Sequence, residues 1–328
     1  MIGDATLARL LRGTGLAALA AYVVLTAIAL TERGDTVTSY AAVSPVAAVA
    51  ALVPGVALIL AGVLIRTSPQ DDPVAFPLLL AGVAWLAPIW IGRPDGPAVV
   101  RSLGMVVAPF LLPALVHLAV GFVDGTPGRH RQLAGTAYLV TAVISLGQAA
   151  VRDPFLDPRC WTNCTDNVFV LHADPVIAGG LDQLWVAATV VFGGAIVVIT
   201  LTRPAGTKGW SAFWPVSAGI AAAGAAEATY AVALVVRPVE DPAVPMFLGL
   251  FLVRAAALTV VGGTLSWIVL RRRHRRLAVA RLAGELGATP PLGGFQSALA
   301  AALGDADLEV RYWLPHAQRY VDASGRPW

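Results

Sequence analysis

Long stretches of this chain carry almost no charge, and short polar segments separate them. They run over 13–31, 41–65, 74–92, 98–122, 132–151, 182–202, 210–236 and 246–270. A helix needs about 20 apolar residues to cross the hydrocarbon of a bilayer, and each stretch is long enough. Each ends at charged residues, Pro or Gly, the chemistry of turns and interfaces. Trp85, Trp90, Trp185, Trp210, Trp214 and Trp267 lie in or near stretch ends, where amphipathic rings favour the headgroup zone. The pattern predicts an all-α polytopic membrane bundle of about eight transmembrane helices.

Composition agrees. Charged residues make up 13% of the 328, hydrophobic residues 57%, whereas a soluble domain carries about a quarter charged residues. A net charge of +3 is no sign of nucleic acid, because the basic residues cluster at the ends of apolar runs. They report topology instead. With the N-terminus in the cytoplasm, Arg9, Arg12, Arg66, Arg129, Arg131, Arg203, Lys208 and the Arg271–Arg276 block lie inside. Arg33, Arg93, Arg152, Arg159 and Arg237 lie outside. Eight spans then return the C-terminus to the cytosol, an N-in/C-in arrangement. Arg9 and Arg12 ahead of an apolar run that closes on Ala27-Ile28-Ala29 also fit a secretory signal. The run is long enough to span, which favours an uncleaved anchor.

After Leu270 the character changes, dividing the chain into a membrane region (1–270), a basic linker (271–288) and a tail (289–328). Arg271, Arg272, Arg273, Arg275 and Arg276 with His274 form a stop-transfer block next to the bilayer. A helix follows over Leu277–Leu286, then a break at Gly287 and Pro290-Pro291. The tail predicts a helix at Phe295–Leu303, a strand at Leu308–Leu314 from its alternation, and a second strand around Arg319–Val321. The turn Asp322-Ala323-Ser324-Gly325 comes next. One helix and two strands cannot bury a self-sufficient core, so the tail reads as an incomplete α+β fold, too small for catalysis.

Candidate chemistry is sparse. Cys160 and Cys164, the only cysteines, share the longest outer loop. A disulfide between them is favoured on an oxidising face; a metal site with Asp166, His172 or Asp174 lacks a recognised spacing. Glu227 and Arg254 are ionisable groups within the seventh and eighth spans, at nearly one depth on adjacent antiparallel helices. They predict an intramembrane ion pair, either fixing helix register or serving sensing. His117 in the fourth span is a pH-sensitive candidate or a satisfied interface residue. Arg101 and Asp182 are near enough to span ends to snorkel. Pro45, Pro54, Pro109, Pro113 and Pro215 should kink their helices. Ser217, Ala221 and Ala225 offer a small-residue packing face. There is no Gly-Lys-Ser/Thr loop, His-Glu-x-x-His or Gly-x-Ser-x-Gly, so no catalytic, cofactor-binding or metal residue is assigned.

Three stretches together resemble one family. They are Asp153–Asn167 around Cys160-Trp161-Thr162-Asn163-Cys164, Val279–Gly287, and Ala302–Pro327 with Leu308-Glu309-Val310-Arg311-Tyr312-Trp313-Leu314-Pro315. The chain is similar to the N-terminal portion of actinobacterial multi-pass sensor histidine kinases. In these a membrane region leads through a linker helix to a GAF-like domain, a phosphoacceptor helix pair and a GHKL-type ATPase. The resemblance implies a two-component system in a bacterial cytoplasmic membrane, a homodimer, a response-regulator partner, and ATP with Mg at the kinase core. That core's phosphoacceptor His, ATP-binding Asn and Gly-rich boxes have no counterparts here, so no cofactor is expected in this chain. Two other functions stand beside this one: a small-solute transporter or channel using Glu227, Arg254 and His117, and a non-catalytic membrane partner protein.

Overall fold

The computed structural model describes residues 2–31, 39–67, 73–91, 96–121, 127–156, 166–202, 210–237, 240–286, 296–297, 299–300, 307–322 and 325–327. Among them, the helices are α1 (Ile2–Thr31), α2 (Tyr40–Val43), α3 (Pro45–Arg66), α4 (Ala75–Ile91), α5 (Ala98–Val107), α6 (Leu111–Gly121), α7 (Pro127–Val151), α8 (Pro175–Leu201), α9 (Trp210–Val236) and α10 (Pro245–Leu286). Among the described residues, seven helical segments are long and apolar enough to cross a membrane; α4 is apolar but shorter, at 17 residues. The apolar runs of the sequence coincide with these helices, two of them, 41–65 and 98–122, being divided between two helices each. The chain is a polytopic helical bundle.

Local chemistry explains where the helices depart from the hydropathy pattern. Pro45 was expected to kink the second span, but it opens a helix. Ser44 is extended, its Oγ accepts from the Ala47 N–H at 3.1 Å, and Pro45 takes the first helical turn, where its missing N–H costs nothing. The run 41–65 is therefore a single turn, α2, followed by α3. Pro54, Pro88 and Pro215 lie inside α3, α4 and α9. In the fourth span, Pro109 and Pro113 remove two ladder donors. The backbone tightens into a 3₁₀ turn at Ala108–Phe110 between α5 and α6. Helix α8 starts seven residues earlier than the apolar run. Asp174 caps it, accepting from Val176 N–H at 2.9 Å and Ile177 N–H at 3.0 Å, with Pro175 next.

Glycines bring several helices into close contact. A Cβ on Gly193 of α8 would stand 2.6 Å from the Gly224 carbonyl of α9, and one on Gly224 would stand 2.7 Å from Ile196. A Cβ on Gly82 would fall 2.8 Å from the Gly55 carbonyl, between α4 and α3. Gly219 packs against Ala257 and Val261 of α10, and Gly262 against Ala57 of α3. The close contacts of α9 are made by Gly219 and Gly224; of the expected Ser217, Ala221 and Ala225, Ser217 is buried, Ala221 half-buried and Ala225 exposed. Without a hydrophobic drive between helices in lipid, this backbone proximity supplies dispersion contact.

Helix α1 lies at the rim, with Leu16, Val24, Leu25 and Ile28 exposed. It is attached through polar contacts: Tyr22 donates to the Val83 carbonyl at 3.1 Å, and Trp90 Nε1 donates to Thr26 Oγ1 at 2.9 Å.

Residues 267–328 form a second compact unit. It holds an antiparallel hairpin of β1 (Tyr312–Leu314) and β2 (Arg319–Val321), with Trp313 facing Tyr320 across the strands at 4.9 Å between rings. Strand β1 is shorter than the alternating run Leu308–Leu314. Gly325 has φ +80° and its N–H bonds to the Asp322 carbonyl at 3.0 Å, closing the expected turn. Most of the expected helix at 295–303 lies outside the described residues; 296, 297, 299 and 300 are helical.

Gly193→Leu should destabilise the bundle by about 1–3 kcal/mol through overpacking. Gly194→Leu, where a Cβ meets nothing within 4 Å, should be near neutral. Thermal unfolding of the two purified variants in detergent checks the difference.

Candidate functional site

The structure brings Glu227 and Arg254 together. Each lies nine residues from the α9–α10 connection, a depth of about 13 Å along its helix. Arg254 Nη2 is 2.6 Å from Glu227 Oε1, and both side chains are largely buried. The guanidinium carbon also sits 5.2 Å from the Tyr230 ring centre and 5.6 Å from that of Trp85, within cation–π range. Arg254 Nε has no hydrogen-bond partner among the described residues.

These contacts belong to a closed ring of side chains. Phe251, one turn before Arg254, stacks on Trp85 at 5.5 Å and on Tyr40 at 4.5 Å, nearly parallel to both. The Tyr40 hydroxyl donates to Glu240 Oε1 at 2.5 Å, and the Tyr230 hydroxyl donates to Glu240 Oε2. Tyr230 closes the ring against Arg254. Trp85 is fixed by its Nε1–H on the Ala51 carbonyl at 2.9 Å. Trp85 was expected at the headgroup level, but it is a buried residue of this ring. Burial and the Glu240 charge push the Tyr40 phenol well above its ordinary pKa, so it stays a donor at neutral pH.

A second polar group stands nearby. Arg152 pairs with Asp182, and its Nε donates to Gln148 Oε1 at 2.8 Å. Gln148 Nε2 donates to Asp182 Oδ1 at 2.8 Å. Asp182 was expected to snorkel from a helix end. Because Asp174 starts α8 early, it lies instead two turns inside the helix and binds α7. The connection after α7 is tied down by Asn167, whose Nδ2 donates to the Ala149 and Arg152 carbonyls. Arg101 was also expected to snorkel; it is 3% exposed within α5.

Both polar groups line one cavity of about 630 Å³. Its walls include Ser39, Tyr40, Trp85, Leu112, Ile144, Gln148, Arg152, Asp182, Trp185, Glu227, Tyr230, Glu240, Phe251 and Arg254. It lies toward the end of the bundle that carries the α1–α2, α7–α8 and α9–α10 connections. The size fits a small organic ligand. The mostly apolar wall with few polar groups suits binding and orientation. Among the described residues no three His, Cys, Asp or Glu side chains gather as a metal site.

The remaining sequence candidates lie elsewhere. His117 Nδ1 is 3.4 Å from the Tyr138 hydroxyl, with the rings edge-on at 5.9 Å; this is a contact of α6 with α7, apart from the cavity wall. Arg271, Arg272, Arg275 and Arg276 are exposed on α10, and Arg273 is half-buried. Cys160 and Cys164 lie outside the described residues. Sequence reading missed Tyr40, Trp85, Tyr230, Glu240 and Phe251. Helical spacing held part of the signal: Tyr230 and Phe251 each stand one turn from a member of the ion pair.

No family model, curated protein or solved structure matches the chain.

Arg254→Gln or Glu227→Gln alone should cost roughly 3–5 kcal/mol, because each leaves an uncompensated buried charge. The double variant should cost clearly less than the sum. A double-mutant cycle on unfolding free energies in detergent measures the coupling.

Proposed function

We propose that this chain is the membrane sensing and signal-transmission part of a two-component sensor histidine kinase, with the cavity receiving the stimulus. The observation that carries this is one helix. Helix α10 supplies Phe251 and Arg254 to the cavity wall and runs unbroken through the basic block to Leu286. A ligand that alters the contacts of Arg254 acts directly on the element that leaves the membrane. Ligand binding then needs only to favour one of two positions of α10, by as much as its affinity differs between them.

The topology in this proposal is eight spans with both termini in the cytosol of a bacterial cell. The mouth of the cavity then faces outward, toward an external stimulus, and the Arg271–Arg276 block sits at the inner leaflet. The hairpin of the second unit is the opening of a GAF-like domain. A homodimer, a response regulator, and a phosphoacceptor and ATPase core using ATP and Mg follow from the family resemblance of the three quoted stretches.

A small-solute transporter is the second function the cavity supports, since it too would place an ion pair beside a polar path. It predicts solute uptake in proteoliposomes that Glu227→Gln abolishes.

Reading the gene in frame beyond the Trp328 codon tests the kinase proposal. The expected result is a continuation through a GAF-like fold into a phosphoacceptor helix and ATP-binding boxes. A stop codon at that point contradicts it.

A further inference from the structure

Charge in the cavity wall is unbalanced. Asp182, Glu227 and Glu240 face Arg152 and Arg254. Asp182 is paired with Arg152 and Glu227 with Arg254. Glu240 is held by two phenols instead. Each of its oxygens accepts a hydrogen bond, the pattern of an ionised carboxylate, and neither donor carries a charge. Among the described residues the cavity is thus left with one carboxylate that no guanidinium directly neutralises, beside the Tyr40 ring and in a wall that also carries Phe251 and Trp85.

We propose that the cavity binds a hydrophobic organic monocation, its charge near Glu240 and its apolar body against the aromatic and aliphatic wall. This deepens the sensor proposal by naming the class of its stimulus. Three considerations select that class. A bound cation brings the five wall charges to balance, whereas an anion adds to an existing excess in a site of low dielectric. Aromatic faces attract cations through their quadrupoles. An organic cation with dispersed charge sheds its water more readily than a small metal ion, whose burial would carry a large desolvation penalty. The free Nε–H of Arg254 pulls the other way, but one N–H dipole is weaker than a full unit charge.

Two probes of nearly the same shape and opposite charge decide the matter: tetraphenylphosphonium and tetraphenylborate. The full chain is placed in nanodiscs of zwitterionic lipid, with empty nanodiscs subtracting partition into the bilayer, and binding is followed by equilibrium dialysis. The expected result is saturable binding of the phosphonium only, weakened at least about tenfold by Glu240→Gln and unchanged by Glu309→Gln on the exposed tail. Equal or tighter saturable binding of the borate overturns the proposal. So does phosphonium uptake that never saturates, or a folded Glu240→Gln variant with unchanged affinity. The comparison of probes uses the unmutated chain, so it decides even where Glu240→Gln fails to fold. Saturable phosphonium binding in a chain whose gene encodes no kinase core keeps the ligand class and removes the sensor. A kinase core in the gene with no saturable phosphonium site does the reverse.

Discussion

A guanidinium within an apolar helix bundle has few places to go, and Arg254 sets much of what surrounds it. Inserting a charged side chain at mid-membrane costs about 2.5–3.5 kcal/mol on translocon scales, and more when it is isolated. Glu227 supplies the counter-charge from the neighbouring helix at the same depth. Tyr230 and Trp85 supply aromatic faces, each worth roughly 0.5–2 kcal/mol when desolvated. Those rings need support of their own. Phe251, Tyr40 and Glu240 provide it, and the chain of contacts closes on itself. The cavity is the space this ring and the Arg152–Asp182 pair enclose with α4, α6, α7 and α8.

Backbone proximity does the complementary work. Gly193 and Gly224 bring α8 and α9 into direct contact, while Gly219 and Gly262 seat α10 against α9 and α3. On α9 and α10 these glycines lie farther from the connecting loop than the ion pair does. Glu227, Tyr230, Phe251 and Arg254 occupy the part nearer the loop, and the contact glycines lie beyond them. That division lets one bundle hold both a tight interface and an open site.

Much of the architecture was legible in the sequence because crossing a bilayer requires a long apolar run, and hydropathy sums over that length. The ion pair was legible for a related reason. Two charges that are rare in such runs could be counted to one depth from a shared loop. The aromatic ring was not legible, since a Trp near a span end fits a headgroup belt as well as a core. Trp85 is core because Ala51 offers a carbonyl to its Nε1, a partner visible only in three dimensions. Capping was underweighted as well. Ser44-Pro45 and Asp174-Pro175 start helices, and the second of these moved Asp182 from a helix end into the cavity wall. The packing face of α9 was read only in part, because alanine and serine spacing was followed where Gly219 and Gly224 make the close contacts. Cys160 and Cys164 lie outside the described residues, and their chemistry rests on the sequence alone.

Functionally, the same pair that makes Arg254 tolerable in the bundle also ties α10 to the cavity. The central claim is that this tie holds α10 in place against α9. Pulsed dipolar EPR between spin labels on Val232 and Val260, both exposed, measures it directly. The account predicts one narrow distance distribution in the otherwise unmutated protein. It predicts that Arg254→Gln broadens and shifts that distribution while Arg311→Gln, just before the hairpin, leaves it alone. An unchanged distribution in a folded Arg254→Gln protein would show that packing alone positions α10, and would contradict the account.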